Sequence, residues 1–517
     1  MGDAVTPTPR RPLRPAMAPL HTWVGVLFGW LLYFMFVTGT AGYLDTEIDR
    51  WMRPELPATH VPLPPEAQAA NAITYLQAHA LGARRWTIYL PVDRNEPHLR
   101  VDWSPRAGDS PQPVWLDAAT GRSIAVRETT GGQGLYQMHW RLHYLPQAWA
   151  EGVVTIASTA LLLALLTGIV AHRRFFADFF TFRPGKGQRS WLDAHNLASV
   201  ASLPFQLMIS YSGLVFVMFS FMPLIASAWY GLPPGSAGRA FYGELFPPMA
   251  ATQASGRPAP LVPIAQVLER ARPHGGAVAV IDIQHPGDAN ARITTTGNFA
   301  AGPVRSAGIL VFEGTSGRLL AERLAGQSAP RTARDLWLGL HEGLFAGPLL
   351  RALYLLSGLL GCAMIATGMV LWTAKRRERA RREGNTAPWG HRLVERLNVG
   401  AILGLPIAMA AYFWANRLLP PGIAQRAQLE VDVLFVAWLA AFIHAAFTAP
   451  ATAWRIQAWC AALGFGAIPL LNAATTHRHL GQSLPAGDWV MAGFDLGALA
   501  LGMAFALWAM AAARRGH

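Results

Sequence analysis

Six histidines stand where long apolar runs begin or end: His21, His139, His143, His172, His195 and His341. An imidazole held at a membrane boundary is idle or costly without a partner, and polar groups at that depth mark function. His21, His172 and His195 fall at one end of the runs, and His139, His143 and His341 at the other. Two layers of imidazoles suit axial ligation of two b-type haems stacked across a bilayer. Six-coordinate porphyrin iron takes one nitrogen on each face of the ring, and facing helices supply them.

Spacing suggests the pairs. His21 precedes Gly39 by 18 positions and His195 precedes Gly213 by 18, so an internal repeat pairs His21 with His195. His172 follows Gly168 by four positions, where the second copy has Trp372 after Gly368. It is therefore a rival ligand that would displace His21 or His195. At the other layer His143 and His341 are taken as repeat equivalents and paired. His139 and His143 are four apart, on one helical face, and cannot grip opposite faces of a single ring. One of the two is left as a propionate or substrate neighbour, and His143 is preferred as the ligand. A single histidine beside arginine at a headgroup boundary is more simply a snorkelling residue. Four with matched spacing are harder to explain that way.

The elements that must position these residues come from the same repeat. Met138 to Arg174 recurs as Leu336 to Arg377: a histidine, a proline, an apolar stretch, a Thr-Gly step, an apolar pair and an arginine cluster. Repeats of this kind fix the architecture before any residue-level detail. Runs long enough to cross a ~30 Å hydrocarbon layer are 20–44, 150–171, 195–223, 350–373, 395–419, 431–449, 456–473 and 489–512, the seventh the weakest. The first is too long for a signal-peptide core and lacks a small-residue cleavage site, so it is expected to remain as a span.

Composition agrees: 52% of residues are hydrophobic and 14% charged, against about 25% charged in a soluble domain. The net charge of +13 does not indicate nucleic acid, because the basic residues cluster beside apolar runs. Nineteen Lys and Arg flank the span ends on one side, against Arg417, Arg426 and Arg478 on the other. Both termini are then cytoplasmic, and the two long inserts face the periplasm or exterior. The two cysteines, Cys362 and Cys460, lie in apolar runs and offer neither a disulfide framework nor a thiolate metal site.

The expected layout is a cytoplasmic N-terminus and first span over 1–44 and an insert over 45–137. A span, a basic loop and a span follow over 138–223, then a second insert over 224–336. A fourth span covers 337–375, a basic linker 376–394, and four further spans 395–517. Each insert reads as a helix followed by short strands with Gly, Pro and Asp-rich turns, an α+β module. VWLDAATGRSIA in the first and LVFEGTSGRLLA in the second are the same hairpin.

That hairpin resembles the PepSY module. FFADFFTFRPGKGQRSWLDAHNLASVASLPFQLMISYSG, with the Thr-Gly step and arginines after each second helix, resembles the PepSY-associated transmembrane family over about 15–380. The family includes iron-regulated inner-membrane proteins and haem-bearing ferric-siderophore reductases. The resemblance implies a membrane helical bundle carrying two haem b groups and a periplasmic acceptor, ferric iron in a siderophore. It says nothing of the last four spans.

There is no G-x-G-x-x-G opening a helix after a strand, no G-x-x-x-x-G-K-[ST], no H-E-x-x-H and no G-x-S-x-G. A reductase of this design would draw electrons from a membrane quinol or a separate cytoplasmic flavoprotein. Trp140, Trp149, Trp191, Trp337 and Trp372 are expected in aromatic belts at the membrane lipid boundary. Arg141, Arg173, Arg174 and Arg189 serve orientation, with propionate neutralisation as the alternative. Asp432 is expected at the interface and Asp495 inside the last span, where a quinone or proton path is conceivable. His444, His477 and His479 have no assigned role. Two other readings remain: a PepSY anchor that restrains a periplasmic peptidase, and a transporter. Parallel repeats and the lack of paired acidic residues in the core spans weigh against the transporter.

Overall fold

The computed structural model describes residues 13–58, 63–104, 113–172, 179, 182–183, 185–245, 252–274, 276–324, 326, 328–386 and 388–514. In chain order the elements begin with α1 (Leu13–Ala41), α2 (Asp45–Met52), α3 (Pro65–His79), β1 (Arg85–Tyr89), β2 (Arg100–Ser104), β3 (Val114–Leu116) and β4 (Ser123–Ile124). Then come α4 (Gly131–Arg141), α5 (Gln147–Ala171), α6 (Gln188–Phe216), α7 (Met218–Tyr230), α8 (Pro234–Leu245) and α9 (Ile264–Ala271). β5 (Val278–Gln284), β6 (Arg292–Gly297), β7 (Ile309–Glu313) and β8 (Leu319–Arg323) follow, with α10 (Ala329–Glu342) and α11 (Pro348–Arg382). The chain ends in α12 (Trp389–Ile402), α13 (Gly404–Leu418), α14 (Arg426–Phe447), α15 (Pro450–Gly466), α16 (Ile468–Thr475), α17 (Leu480–Ser483) and α18 (Trp489–Arg514). They form two compact units: Met1–Asp45 with Thr129–Val217 and Pro348–His517, and Thr46–Glu128 with Met218–Gly347.

The first unit is helical, and eight helical stretches of the described chain are long and apolar enough to cross a membrane. Four of them, α1, α5, α6 and α11, make a core in which α1 packs on α5 and α11, and α6 packs on α5 and α11. Leu32, Ala157, Leu161, Leu165, Ala198 and Met364 fill its centre. Small residues let the backbones approach closely. A side chain at Gly358 would meet Thr40, and one at Gly361 would meet Phe36.

The run expected over 195–223 is broken. α6 ends at Phe216, and the Val217 N–H turns to the Gly213 and Val215 carbonyls before α7 starts. The seventh run is also two helices, parted at Ala467. Pro469 supplies the reason, since it cannot donate to a carbonyl one turn back.

The last four spans pack against the core through specific bonds. Trp30 Nε1 donates to Asn398 Oδ1 at 2.9 Å, and Asn398 Nδ2 donates to the Met369 carbonyl at 3.1 Å. Tyr33 donates to the Ile402 carbonyl at 3.0 Å, and Phe34 stacks on Trp438. Arg417 and Arg426, which the sequence places at an outer loop, are buried.

The second unit is built from both inserts. Its strands form one antiparallel eight-stranded sheet in the order β4-β3-β2-β1-β5-β6-β7-β8. The inserts join edge to edge, β1 on β5, with Ile88 opposite Ile281. Pairing these strands removes two exposed edges that would otherwise invite association. α3 and α9 pack together, and the core between helices and sheet includes Leu76, Ile88, Val101, Val267, Ile281 and Phe312.

The repeated hairpin is the same turn twice. Gly121 N–H donates to Asp117 O and Gly317 N–H to Glu313 O, each at 2.8 Å. Both glycines are left-handed, at φ +68° and +67°, a conformation that glycine adopts without a Cβ clash. The boundaries also move. The sheet unit ends at Glu128 rather than at 137 and resumes at Met218, running to Gly347, so α4 belongs with the spans and α10 with the sheet.

Candidate functional site

The strongest constellation lies among α1, α5, α6 and α11. His21 on α1 sits with Nδ1 2.8 Å from the Ala164 carbonyl of α5. His195 on α6 sits with Nδ1 2.8 Å from the Met364 carbonyl of α11. A carbonyl only accepts, so each Nδ1 carries the proton and each Nε2 presents its lone pair. That arrangement prepares a histidine for metal ligation.

The Thr-Gly step explains how the helices make these seats. Ala164 precedes Gly168 by four residues, as Met364 precedes Gly368. The carbonyl facing the imidazole is therefore one turn below a residue without a side chain. A Cβ at Gly168 would lie 3.1 Å from His21 Cε1, and one at Gly368 3.1 Å from His195 Cε1. Thr167 and Thr367 fold their hydroxyls back onto the same two carbonyls, each at 3.1 Å. Their side chains are thereby satisfied within the helix.

The two rings face each other with centroids 6.3 Å apart and planes at 63°. Two imidazoles holding one iron at the ~2 Å distance of histidine ligands would have centroids roughly 6 Å apart. A cavity of about 370 Å³ opens beside them, lined by Gly25, Gly29, Leu165, Leu203 and Met369. It is largely apolar, with His172, Asn196, Trp372 and Lys375 among its polar or aromatic lining. Apolar walls with a few placed polar groups are what a cofactor site requires. The donor set and its spacing fit a six-coordinate haem.

His172 shares this cavity but terminates α5, while its counterpart Trp372 lies within α11. Arg376 lies over Trp372 at 4.1 Å and over Trp23 at 5.9 Å. Arg183 forks onto Asp193 with bonds of 2.9 and 2.8 Å, pinning the basic loop to α6 two residues before His195. Arg173 and Arg174 lie outside the described residues, as do 175–178, 180, 181 and 184 of that loop.

The outer layer differs from the sequence expectation. His139 lies in the last turn of α4, its Nδ1 bonded to the Tyr136 carbonyl and its ring against Gly39 of α1. Burial pushes its pKa down to about 4, so it is neutral. Leu142 caps α4 in the left-handed region, at φ 47°, and His143 lies beyond the cap. The two histidines therefore do not share a helical face.

His143 bonds Gln428 at 3.2 Å and stacks on Phe435, and burial lowers its pKa. His341 sits in the last turn of α10, before the left-handed cap Gly343. Judged by helix and cap, the counterpart of His341 is the His139 turn, so the repeat equivalence of His143 and His341 does not hold.

The carboxylates are engaged in structure. Asp432 accepts from Tyr144 at 2.6 Å and from Gln428 at 2.8 Å. Asp495 is buried and accepts from Asn472 at 2.9 Å. His444 has a neighbour in Gln457 at 3.3 Å. Among the described residues no group of three or more His, Cys, Asp or Glu forms a metal cluster.

Sequence reasoning found the imidazoles but missed the Ala164 and Met364 carbonyls that orient them. The recurring Thr-Gly step was the available signal.

Comparison with known proteins places these observations. Residues 18–375 match the model of the PepSY-associated TM region. An uncharacterised protein of Pseudomonas aeruginosa, PA4219, is 28% identical over 353 residues, covering 63% of this chain and 82% of that protein. With more than half of its length matched, the chain belongs to the family of proteins carrying the PepSY-associated transmembrane region.

Proposed function

We propose that this multi-pass membrane protein is a haem-dependent oxidoreductase of the cytoplasmic (inner) membrane. It would move electrons from the cytoplasmic side or the quinol pool to a periplasmic acceptor. The observation that carries this reading is the His21–His195 pair, with both Nδ1 atoms tied to carbonyls and centroids 6.3 Å apart. A haem b bound there supplies one-electron transfer. His21 and His195 would hold the metal, while the Ala164 and Met364 carbonyls fix the tautomers and Gly168 and Gly368 leave room for the rings. Apolar walls exclude water, and Lys375 brings positive charge to the cavity lining.

At the outer layer His139, its ring set against Gly39, is the residue suited to a second haem. His143 becomes the neighbour. The excess of Lys and Arg at the ends of the spans that carry His21, His172 and His195 supports a cytoplasmic location for both termini, with the sheet unit periplasmic. Ferric iron in a siderophore suits the acceptor, because reduction to Fe(II) weakens its binding to hard oxygen ligands. A quinol or a cytoplasmic flavoprotein is the donor.

A pyridine haemochrome assay on the purified protein tests the reading. Two haems b per chain are expected. Colourless protein, or a Soret band that survives His21→Ala with His195→Ala, overturns it and leaves a membrane-anchored PepSY module.

A further inference from the structure

The four C-terminal spans lie beyond the matched residues 18–375, yet α13 and α14 among them hold both ends of α4, the helix that carries His139. At its start, Thr129 donates to the Glu430 carboxylate, and the Gly131 N–H donates to Thr129 Oγ1 at 3.1 Å. Tyr412 bonds Thr130 Oγ1 at 2.7 Å and donates to the Gly131 carbonyl at 2.9 Å. Past its end, Gln428 meets His143 at 3.2 Å, and Asp432 accepts from Tyr144 at 2.6 Å.

Glu430 and the Gln428/Asp432 pair point to opposite sides of α14, because two residues on an α-helix turn about 200°. The start of α14 is thus inserted between the two ends of α4. Glu430 is itself set by Arg426 and by Asn416 at 2.8 Å, all three buried. Farther along, Arg417 donates to Asn472 at 3.0 Å, and Asn472 donates to Asp495 at 2.9 Å. A buried polar network of this kind favours a single geometry.

We infer that α13 and α14 are the positioning device for the outer histidine, with Tyr412 and Glu430 setting where α4 begins and hence where His139 points. The inference rests on the reading of His139 as a haem ligand. Buried Asp495 is then part of the brace, not a station on a quinone path.

The test uses the full chain carrying Tyr412→Phe, Glu430→Gln, Thr130→Ala or the conservative Thr130→Ser. Haem per chain, the low-spin haem signals in electron paramagnetic resonance and amide exchange are measured for each. In Tyr412→Phe, Glu430→Gln and Thr130→Ala, outer haem occupancy is expected to fall at least two-fold or its resonance to shift, while the inner signal stays. Exchange across 131–141 should rise about ten-fold with 188–216 unchanged, and Thr130→Ser should restore the parent values. Normal outer signals with unchanged exchange overturn the inference. Equal loss of both haems with general deprotection also overturns it, as that marks a general folding role. Parent protein without haem sinks the functional reading instead, and the exchange data alone then decide whether the brace exists.

Discussion

His21 and His195 face one another across the helical core, ring centroids 6.3 Å apart, each held through Nδ1 by a carbonyl of the helix beside it. Neither bond is local in sequence, since His21 reaches Ala164 and His195 reaches Met364. The repeat makes the two seats equivalent, and under the proposed function the two imidazoles would share one haem. Replacing either histidine by alanine should reduce haem from two to one per chain by pyridine haemochrome, with the remaining signal unchanged in both variants.

The glycine seats can be tested without touching a ligand. A side chain at Gly168 or Gly368 would start 3.1 Å from an imidazole carbon, and a valine would push the ring off its carbonyl. Gly168→Val and Gly368→Val should each lose the inner haem at least ten-fold, while helix content by circular dichroism is kept.

At the outer layer the two candidates separate cleanly. His139→Ala should abolish the outer haem signal. His143→Ala, which loses the Gln428 bond and the Phe435 stack, should leave haem stoichiometry unchanged.

The buried Arg426–Glu430 pair is fully enclosed. Removing one partner of such a pair leaves an uncompensated charge and costs about 3–5 kcal/mol. Arg426→Ala should lower the thermal midpoint of the detergent-solubilised protein markedly, and the double variant Arg426→Met with Glu430→Leu should recover most of the loss.

His98 of the sheet unit gives a pH dependence with a definite sign. Burial, with Arg50 and Arg53 nearby, lowers its pKa from 6.5 to about 4. Between those values the unfolded chain binds a proton that the folded chain refuses, so stability falls as pH drops from 6.5 towards 4. The contribution is at most about 3 kcal/mol. Urea or thermal unfolding followed between pH 7 and 4 should show this slope, reduced in His98→Gln.

The sequence by itself determined the duplication, the eight apolar runs, the hairpin with its Gly-Arg turn and the histidines at the run ends. Each of these is written in local composition and spacing, which fix periodicity and turn type without reference to distant residues. Tertiary structure alone decided three other things. It merged the two inserts into one sheet, because an edge strand's partner is chosen by whatever edge lies beside it. It separated His139 from His143 by a left-handed cap at Leu142, which no proline or glycine announces. It also enlisted Glu430 and Tyr412 to hold α4, because a contact spanning some three hundred residues, Thr129 to Glu430, exists only once the helices have packed.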